Sequence, residues 1–415
     1  MVLQPAGHRG QAVLSSGFSF SRADVGYLRS DAGTSALREV SGFALSDETR
    51  IADIAALRGR FGDRTPALVE TTLLRRRAAP KLAGLAGVPD WLYTDEAVQQ
   101  ASAAPVALHR ARRIAAMKPG AVIHDVTCSI GTELAALREV VEQVVGSDLD
   151  PVRLAMAQHN LGGTAGLVQA DALHPVTRDT VVLADPARRS SGRRRFHPGD
   201  YHPALDRLLD AYGGRDTVVK CSPGINFDYV RDLDFDGEIE VTSWQGSVRE
   251  ACLWSHGFTE PGVLRRASIL DRDEQITDAE PDECGVLPAG RWIVDPDGAV
   301  VRAGLVRNYA ARHGLWQLDP DIAYLSGDRL PAGMRGFEVL EQLAYSEKRL
   351  RAALADHDCG ALEILVRGVR DASADPDGLR RRLRPRGHQP LAVVITRIGS
   401  GKAGRATAFV CRASR

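Results

Sequence analysis

The chain has 415 residues, more than one hydrophobic core usually serves, so two or three domains are expected. Hydrophobic residues make up 44% and charged residues 26%, an ordinary globular composition that excludes wholesale disorder. Fifty-three Lys and Arg balance 53 Asp and Glu, so any affinity for a polyanion has to come from local patches.

The first fifteen residues are polar and Gly-rich and are expected to fray. No signal-peptide pattern and no apolar run of about 20 residues is found, which predicts a cytoplasmic chain that makes no use of a membrane. From 35 to 115 the apolar spacing is helical, with 94–114 expected as one amphipathic helix capped by Thr94. The period changes after Gly120. Short β-branched runs at 121–126, 144–147, 167–169, 180–184 and 217–221 alternate with helical stretches, the pattern of parallel βαβ units. Strands at 238–244 and 263–270 around a helix at 248–256 would complete an α/β, seven-stranded, doubly wound Rossmann-like sheet. An acidic linker-like stretch follows at 272–290. Strands expected at 291–295, 300–305, 362–366, 391–397 and 407–411, with a helix at 337–356, make a small α+β domain. The predicted domains are therefore helical over 1–115, sheet-based over 116–271 and α+β over 285–415.

Four carboxylates mark the ends of four successive strands: Asp125, Asp148, Asp171 and Asp185. One Asp after a strand is ordinarily a turn or cap residue, but four in register converge on the edge where open α/β sheets bind ligands. The first lies in Asp125-Val-Thr127-Cys128-Ser129-Ile-Gly131, a loop of small residues opening a helix. A dinucleotide site asks for several glycines beside a pyrophosphate. This loop has Gly131 alone and an acid before it. A negative charge repels a pyrophosphate and attracts a sulfonium or ammonium, so the loop suits S-adenosylmethionine. Asp148, 23 residues on, has the spacing to accept from a ribose diol.

Between 94 and 245 the chain resembles the class I S-adenosylmethionine-dependent methyltransferases, and more narrowly those with a THUMP-like C-terminal domain related to the trimethylguanosine synthase group. The residues that carry the likeness are Tyr93-Thr-Asp-Glu-Ala-Val-Gln-Gln-Ala-Ser, the 125–132 loop, Gly146-Ser-Asp-Leu149-Asp-Pro, Asp185-Pro186-Ala187-Arg188-Arg189, Lys220-Cys-Ser-Pro-Gly and the tail 363–412. The resemblance implies that Asp125, Thr127, Cys128, Ser129 and Gly131 line the methionine side of the cofactor. It places Asp148 and Leu149 at the ribose, and Asp171 and Ala172 at the adenine. The family loop usually carries two or three glycines, and here Thr127 and Ser129 stand at two of those positions.

Related amine methyltransferases keep an (Asp/Asn)-Pro-Pro-aromatic motif where this chain has Asp185-Pro186-Ala187-Arg188. A carboxylate and a backbone carbonyl that accept the two N–H bonds of an exocyclic amine would free its lone pair. The aromatic that stacks a flipped base is missing from the motif; Phe196 or Tyr201 could replace it. Arg189, Arg193, Arg194 and Arg195 follow the motif, and Arg380, Arg381, Arg382, Arg384 and Arg386 crowd a second stretch. Both clusters suit phosphate, and the second resembles RNA-binding surfaces of the THUMP and PUA kind; solvated charged faces are the plain alternative. Lys220 is expected either at the same cleft, contacting RNA, or as a solvated surface lysine.

Cys128 and Cys221 read as packing residues, since none of the six cysteines is in a C-x-x-C and no basic partner adjoins them. The histidines show no ligand spacing, so no metal is expected. The function that follows is methylation of an RNA base, with an exocyclic amine in tRNA or rRNA favoured. The competing readings are an RNA-binding protein that keeps the fold without the chemistry, and a nicotinamide-dependent oxidoreductase, for which the glycine fingerprint is lacking.

Overall fold

The structure is a computed structural model that describes residues 18–187, 189–190, 193–194, 198–369, 375–399 and 404–414. The stretch 1–15 and residues Arg188, Arg195 and Phe196 lie outside the described residues. Contacts divide the chain into two compact units, one holding residues up to 237 together with 251–258, the other holding 238–250 and 259–415.

The first unit begins with six helices: α1 (Arg22–Leu28), α2 (Asp31–Ser41), α3 (Arg50–Phe61), α4 (Thr65–Leu82), α5 (Asp95–Gln100) and α6 (Ala104–Met117). Local chemistry sets their starts. Ser21 Oγ accepts from the Asp24 amide at 3.2 Å while the Asp24 carboxylate accepts from the Ser21 amide at 3.0 Å, a reciprocal cap for α1. Thr94 Oγ1 accepts from the Ala97 amide at 3.1 Å and starts α5, as its sequence position suggests. The single helix expected over 94–114 is two helices. Pro105 lies in the first turn of α6, where its missing N–H costs nothing, whereas further inside a continuous helix it would remove a bond.

Next come β1 (Ile123–Asp125), α7 (Thr132–Arg138), β2 (Val144–Asp148), α8 (Pro151–Asn160), β3 (Gly166–Gln169) and β4 (Val181–Ala184). A two-stranded hairpin follows, β5 (Arg189–Ser190) and β6 (Arg193–Arg194), then α9 (Leu205–Ala211), β7 (Thr217–Cys221) and α10 (Phe227–Asp232). After β8 (Gly237–Trp244), most of which belongs to the second unit, β9 (Ser247–Ser255) returns to the first through Ala251. The helix expected at 248–256 is this strand. The strands of the first unit's sheet run in the order β3-β2-β1-β4-β7-β9. β1 is parallel to both β2 and β4, β4 to β7, and β9 lies antiparallel to β7 with Val218 opposite Trp254. Every residue of β4 and β7 is buried, as parallel strands covered on both faces require. Strand order reverses between β1 and β4, so a crevice opens beyond their C-terminal ends. One continuous core joins Leu28, Leu37, Leu57, Trp91 and Ile114 of the helical region to Ile123, Leu134, Leu183, Val218 and Trp254 of the sheet. The boundary expected at 115 therefore falls inside one compact unit.

In the second unit β10 (Arg265–Ile269) runs parallel to β8 and antiparallel to β11 (Glu274–Thr277). The rest comprises β12 (Trp292–Val294), α11 (Gly298–Ala303), α12 (Val306–His313), β13 (Trp316–Asp319), β14 (Ile322–Gly327), β15 (Gly336–Ala344), α13 (Glu347–Asp356), β16 (Cys359–Arg367), α14 (Pro376–Leu383), β17 (Gln389–Ile398) and β18 (Arg405–Ala413). Seven of these strands form a sheet in the order β13-β14-β12-β15-β18-β17-β16. The expected strand 300–305 is helix α11, capped by Asp297 and closed by Gly304 at φ +72°. The expected helix 337–356 is strand β15 followed by helix α13, whose start is fixed by Ser346 Oγ accepting from the Arg349 amide. No helix among the described residues is long and apolar enough to cross a membrane.

Candidate active site

Beyond the ends of β1, β2 and β4 lies a cleft of about 650 Å3. Asp125, Asp148, Asp171 and Asp185 all line it, so the four strand-end acids share one crevice. Thr127, Cys128, Ser129, Leu149, Ala172, Ala187 and Lys220 line it too. Gly131, by contrast, sits behind the loop at φ +88°, where a Cβ would come within 3.0 Å of Leu161 Cδ1. Its role is to turn the chain into α7.

The loop manages without the usual glycines by hydrogen bonding. Ser129 takes the left-handed conformation, φ +48°, that a glycine would adopt more cheaply. Its amide donates to Asp148 Oδ2 at 2.9 Å, and Asp148 Oδ1 accepts from the Asp150 amide at 2.9 Å. These two bonds fix the carboxylate at the cleft wall while leaving lone pairs on both oxygens. Asp171 is held in the same way by the Leu173 amide at 2.9 Å, beside buried Ala172 and exposed Leu149. Thr127 Oγ1 accepts from the Asp185 amide at 2.6 Å, joining the first loop to the turn after β4. In that turn Pro186 is buried and Ala187 exchanges two backbone bonds of 2.9 Å with His202. Tyr201, one of the two candidate stacking residues, borders the cleft but is 1% exposed, with its hydroxyl accepting from the Ser222 amide at 3.2 Å.

Lys220 lies at the same cleft, one of its two expected positions, but is not a solvated cation. It is 4% exposed, and its Nζ donates to Asp185 Oδ2 at 2.5 Å and to Glu133 Oε1 at 2.8 Å. Glu133 Oε2 in turn accepts from Arg110 Nη2 at 2.7 Å. A chain of buried Arg110, Glu133 and Lys220 thus ends on half-buried Asp185 and braces the turn after β4 from below. Burial works against ionised Glu133, but Arg110 and Lys220 outweigh it and hold its carboxyl down at about 2. Asp125 goes the other way. Burial, then the charges of Glu133 and Asp185, push it up to about 8 against the opposing effects of the Thr127 amide and Lys220. Burial beside Asp125 and Asp148 also raises the Cys128 thiol, which fits a packing role rather than a nucleophile.

Sequence reasoning missed Arg110 and Glu133. Each sits inside an ordinary helical pattern, and nothing in the sequence pairs residues 23 and 87 positions apart. Of the arginine clusters, Arg189, Arg193 and Arg194 are placed by their backbone alone, in the β5–β6 hairpin that follows the turn. In the second unit Arg380 donates to the Leu362 carbonyl and to Asp377, and Arg382 to Glu347. Arg381, Arg384 and Arg386 are exposed. With Arg351 and Arg382 they line a second cleft, of about 890 Å3, whose acids are Glu347 and Asp358. Among the described residues no group of His, Cys, Asp and Glu is arranged to hold a metal ion.

Comparison with known proteins decides the class. Two Mycobacterium tuberculosis sequences, from strains CDC 1551 and H37Rv, are each 70% identical to this chain over 365 residues. The match covers 86% of this chain and all of theirs, and each is described as an uncharacterised S-adenosylmethionine-dependent methyltransferase. The chain belongs to the S-adenosylmethionine-dependent methyltransferases. A THUMP domain-like family matches residues 334–413 of this methyltransferase, the stretch from β15 to β18, and a domain of unknown function (DUF8688) matches 21–78. The crystal structure of a methyltransferase candidate from Porphyromonas gingivalis W83 superposes with a TM-score of 0.72, covering 96% of this chain and all of that one at 17% identity, a likeness of fold.

The methyltransferase's cofactor is S-adenosylmethionine, and the cleft fits it. Its volume is that of a nucleoside-sized ligand site. Among the described residues six carboxyl groups line it (Asp125, Glu133, Asp148, Asp150, Asp171, Asp185) against three basic side chains, Arg153, Arg207 and Lys220. That excess suits a cationic ligand and opposes a pyrophosphate.

Proposed function

We propose that this methyltransferase modifies an exocyclic amine of an RNA base in tRNA or rRNA, with the turn Asp185-Pro186-Ala187 facing the acceptor. In this reading Asp148 holds the ribose hydroxyls, Asp171 and Ala172 the adenine, and the 125–131 loop the methionine portion. Convergence of Asp125, Asp148, Asp171 and Asp185 on one cleft is the observation that carries it.

When bound, the cofactor supplies an electrophilic methyl group on a cationic sulfur. The chain's own part is placement, which can contribute roughly 7–11 kcal/mol to lowering a displacement barrier. Lys220 occupies Oδ2 of Asp185 and leaves Oδ1 to accept one N–H of the acceptor amine. The Pro186 carbonyl accepts the other. Thr127 Oγ1 and the Ala187–His202 bonds keep the turn from shifting as the amine is aligned. Both RNA contacts, from the β5–β6 hairpin and from the 285–415 region through Arg380, Arg381, Arg382 and Arg384, belong to the same proposal. The THUMP-like match and the arginine-lined cleft support them, and a cytoplasmic location agrees with an RNA acceptor.

Incubation with labelled cofactor and total cellular RNA is expected to give labelled RNA, and Asp185→Ala to lower the rate at least 100-fold with cofactor affinity kept. Digestion to nucleosides then identifies the base. Label in protein or small molecules instead of RNA would refute the acceptor class, and full activity in Asp185→Ala would refute the role of the turn.

A further inference from the structure

Asp125 is 1% exposed and lines the cleft. Its Oδ1 accepts from the Thr127 amide at 3.0 Å and from Thr127 Oγ1 at 3.4 Å, and its Oδ2 has no hydrogen-bond partner among the described residues. The ionisable groups facing it come from four elements: Glu133 of α7, Lys220 of β7, Asp185 after β4 and, through Glu133, Arg110 of α6. Asp148, across the loop, is occupied by two backbone amides. Among the described residues the cluster thus holds three carboxyls, with Asp125 and Glu133 buried and Asp185 half-buried, and two buried cations. Arg110 and Lys220 are committed to Glu133 and Asp185 by direct ion pairs, and Asp125 is the acid left over. An unpaired carboxylate at that depth is costly, and no cation among the described residues pairs directly with Asp125.

We propose that Asp125 holds a proton in the cofactor-free cleft and surrenders it when a cationic group of the cofactor, its sulfonium or its ammonium, lies against Oδ2. The proposal rests on the cleft being the cofactor site. Binding then exchanges one positive charge for another, and the exchange makes affinity depend on pH. The sign follows from the free state: below about 8 the carboxyl is protonated and the cofactor has to displace that proton, while above it the carboxylate is ready. Linkage predicts an affinity that rises with pH up to about 8, with a proton released on binding in that range; if the ammonium is the contact, affinity falls again above about pH 8, where a free α-amino group loses its own proton.

Calorimetric titration of the full-length protein, in buffers of different ionisation enthalpy, reads the released proton directly. S-adenosylmethionine and S-adenosylhomocysteine are the probes, since the second keeps the ammonium and lacks the sulfonium. Release with the first alone assigns the sulfonium, and Asp125 then also separates cofactor from product; release with both assigns the ammonium. In Asp125→Asn the release and the pH slope should vanish along with part of the affinity. Glu133→Gln removes one acid from the count, so Asp125 should ionise without cofactor and the slope between pH 6 and pH 8 should flatten. Heats independent of buffer for both probes in the wild-type protein, or equal release in Asp125→Asn, would overturn the proposal. Failure of either probe to bind at all would instead remove the reading of the cleft on which it stands.

Discussion

Replacing Lys220 by Met tests the buried brace and separates it from the surface lysine that the sequence also allows. The Met side chain nearly matches the lysine stem in volume, so packing is conserved while the charge is lost. Among the described residues Glu133 would then keep Arg110, while Asp185 would lose its ion pair. Removing one member of a buried ion pair costs about 3–5 kcal/mol, whereas an exposed lysine in a surface pair is worth about 0–1 kcal/mol. With Lys220 Nζ 4% exposed in its residue and bonded to two carboxylates, the larger range applies. The loss should also depend on pH with a defined sign. Glu133, now held down at about 2, would lose one of its two cations and move upward. A carboxyl whose folded pKa has risen destabilises the fold above its unfolded value, and that penalty fades as the pH falls and it takes up a proton. The gap to wild type should therefore be widest near pH 7 and narrow toward pH 4. Urea denaturation at several pH values measures it, with an unchanged slope against denaturant showing that the folded state is still the same. A loss below about 1 kcal/mol at pH 7, or a gap constant with pH, would refute the brace.

Two further outcomes follow from the same geometry. Gly146→Ala should destabilise by about 1–3 kcal/mol in thermal unfolding, because the added methyl would lie 2.6 Å from Leu134 Cδ1 and 2.9 Å from Cys128 Sγ, behind the loop. Joint replacement of Arg381, Arg384 and Arg386 by Ser should leave S-adenosylmethionine affinity unchanged, weaken RNA binding, and lower the slope of log affinity against log salt by up to about 0.7 per lost contact. Filter binding across a salt series reads that slope.

How much of this was legible in the sequence depended on whether the signal was local. The strand-end acids announced the crevice because each lies beside the strand that carries it, and Thr94 announced its helix because a cap acts three residues away. Strand β9 was misread as a helix because its run 251–254 is apolar on both faces and has no period to betray it. Helix α11 was misread as a strand although Asp297 and Gly304 flank it as a cap and a left-handed stop; β-branched Val300 and Val301 spoke louder than the ends. For Lys220 the sequence left the cleft and the solvated surface both open; the structure puts it on the cleft, and its burial was not legible because it is decided by the acids that come to meet it, with Glu133 87 positions earlier. The same holds for Asp125, whose acid character was plain but whose missing partner emerges only when the neighbouring ions are counted in space.

Strand β9 also has a bearing on how the gene can be divided. The chain leaves the first unit at 237 and comes back at 251, and only then does Ala251–Trp254 cover the rim of β7. A shortened polypeptide stopping near 237 would be left with Val218–Cys221 as bare, wholly buried-type strand, a template for clumping. A single cut that spares the whole first unit has to fall after Phe258, and it carries residues 238–250 of the second unit along with the first.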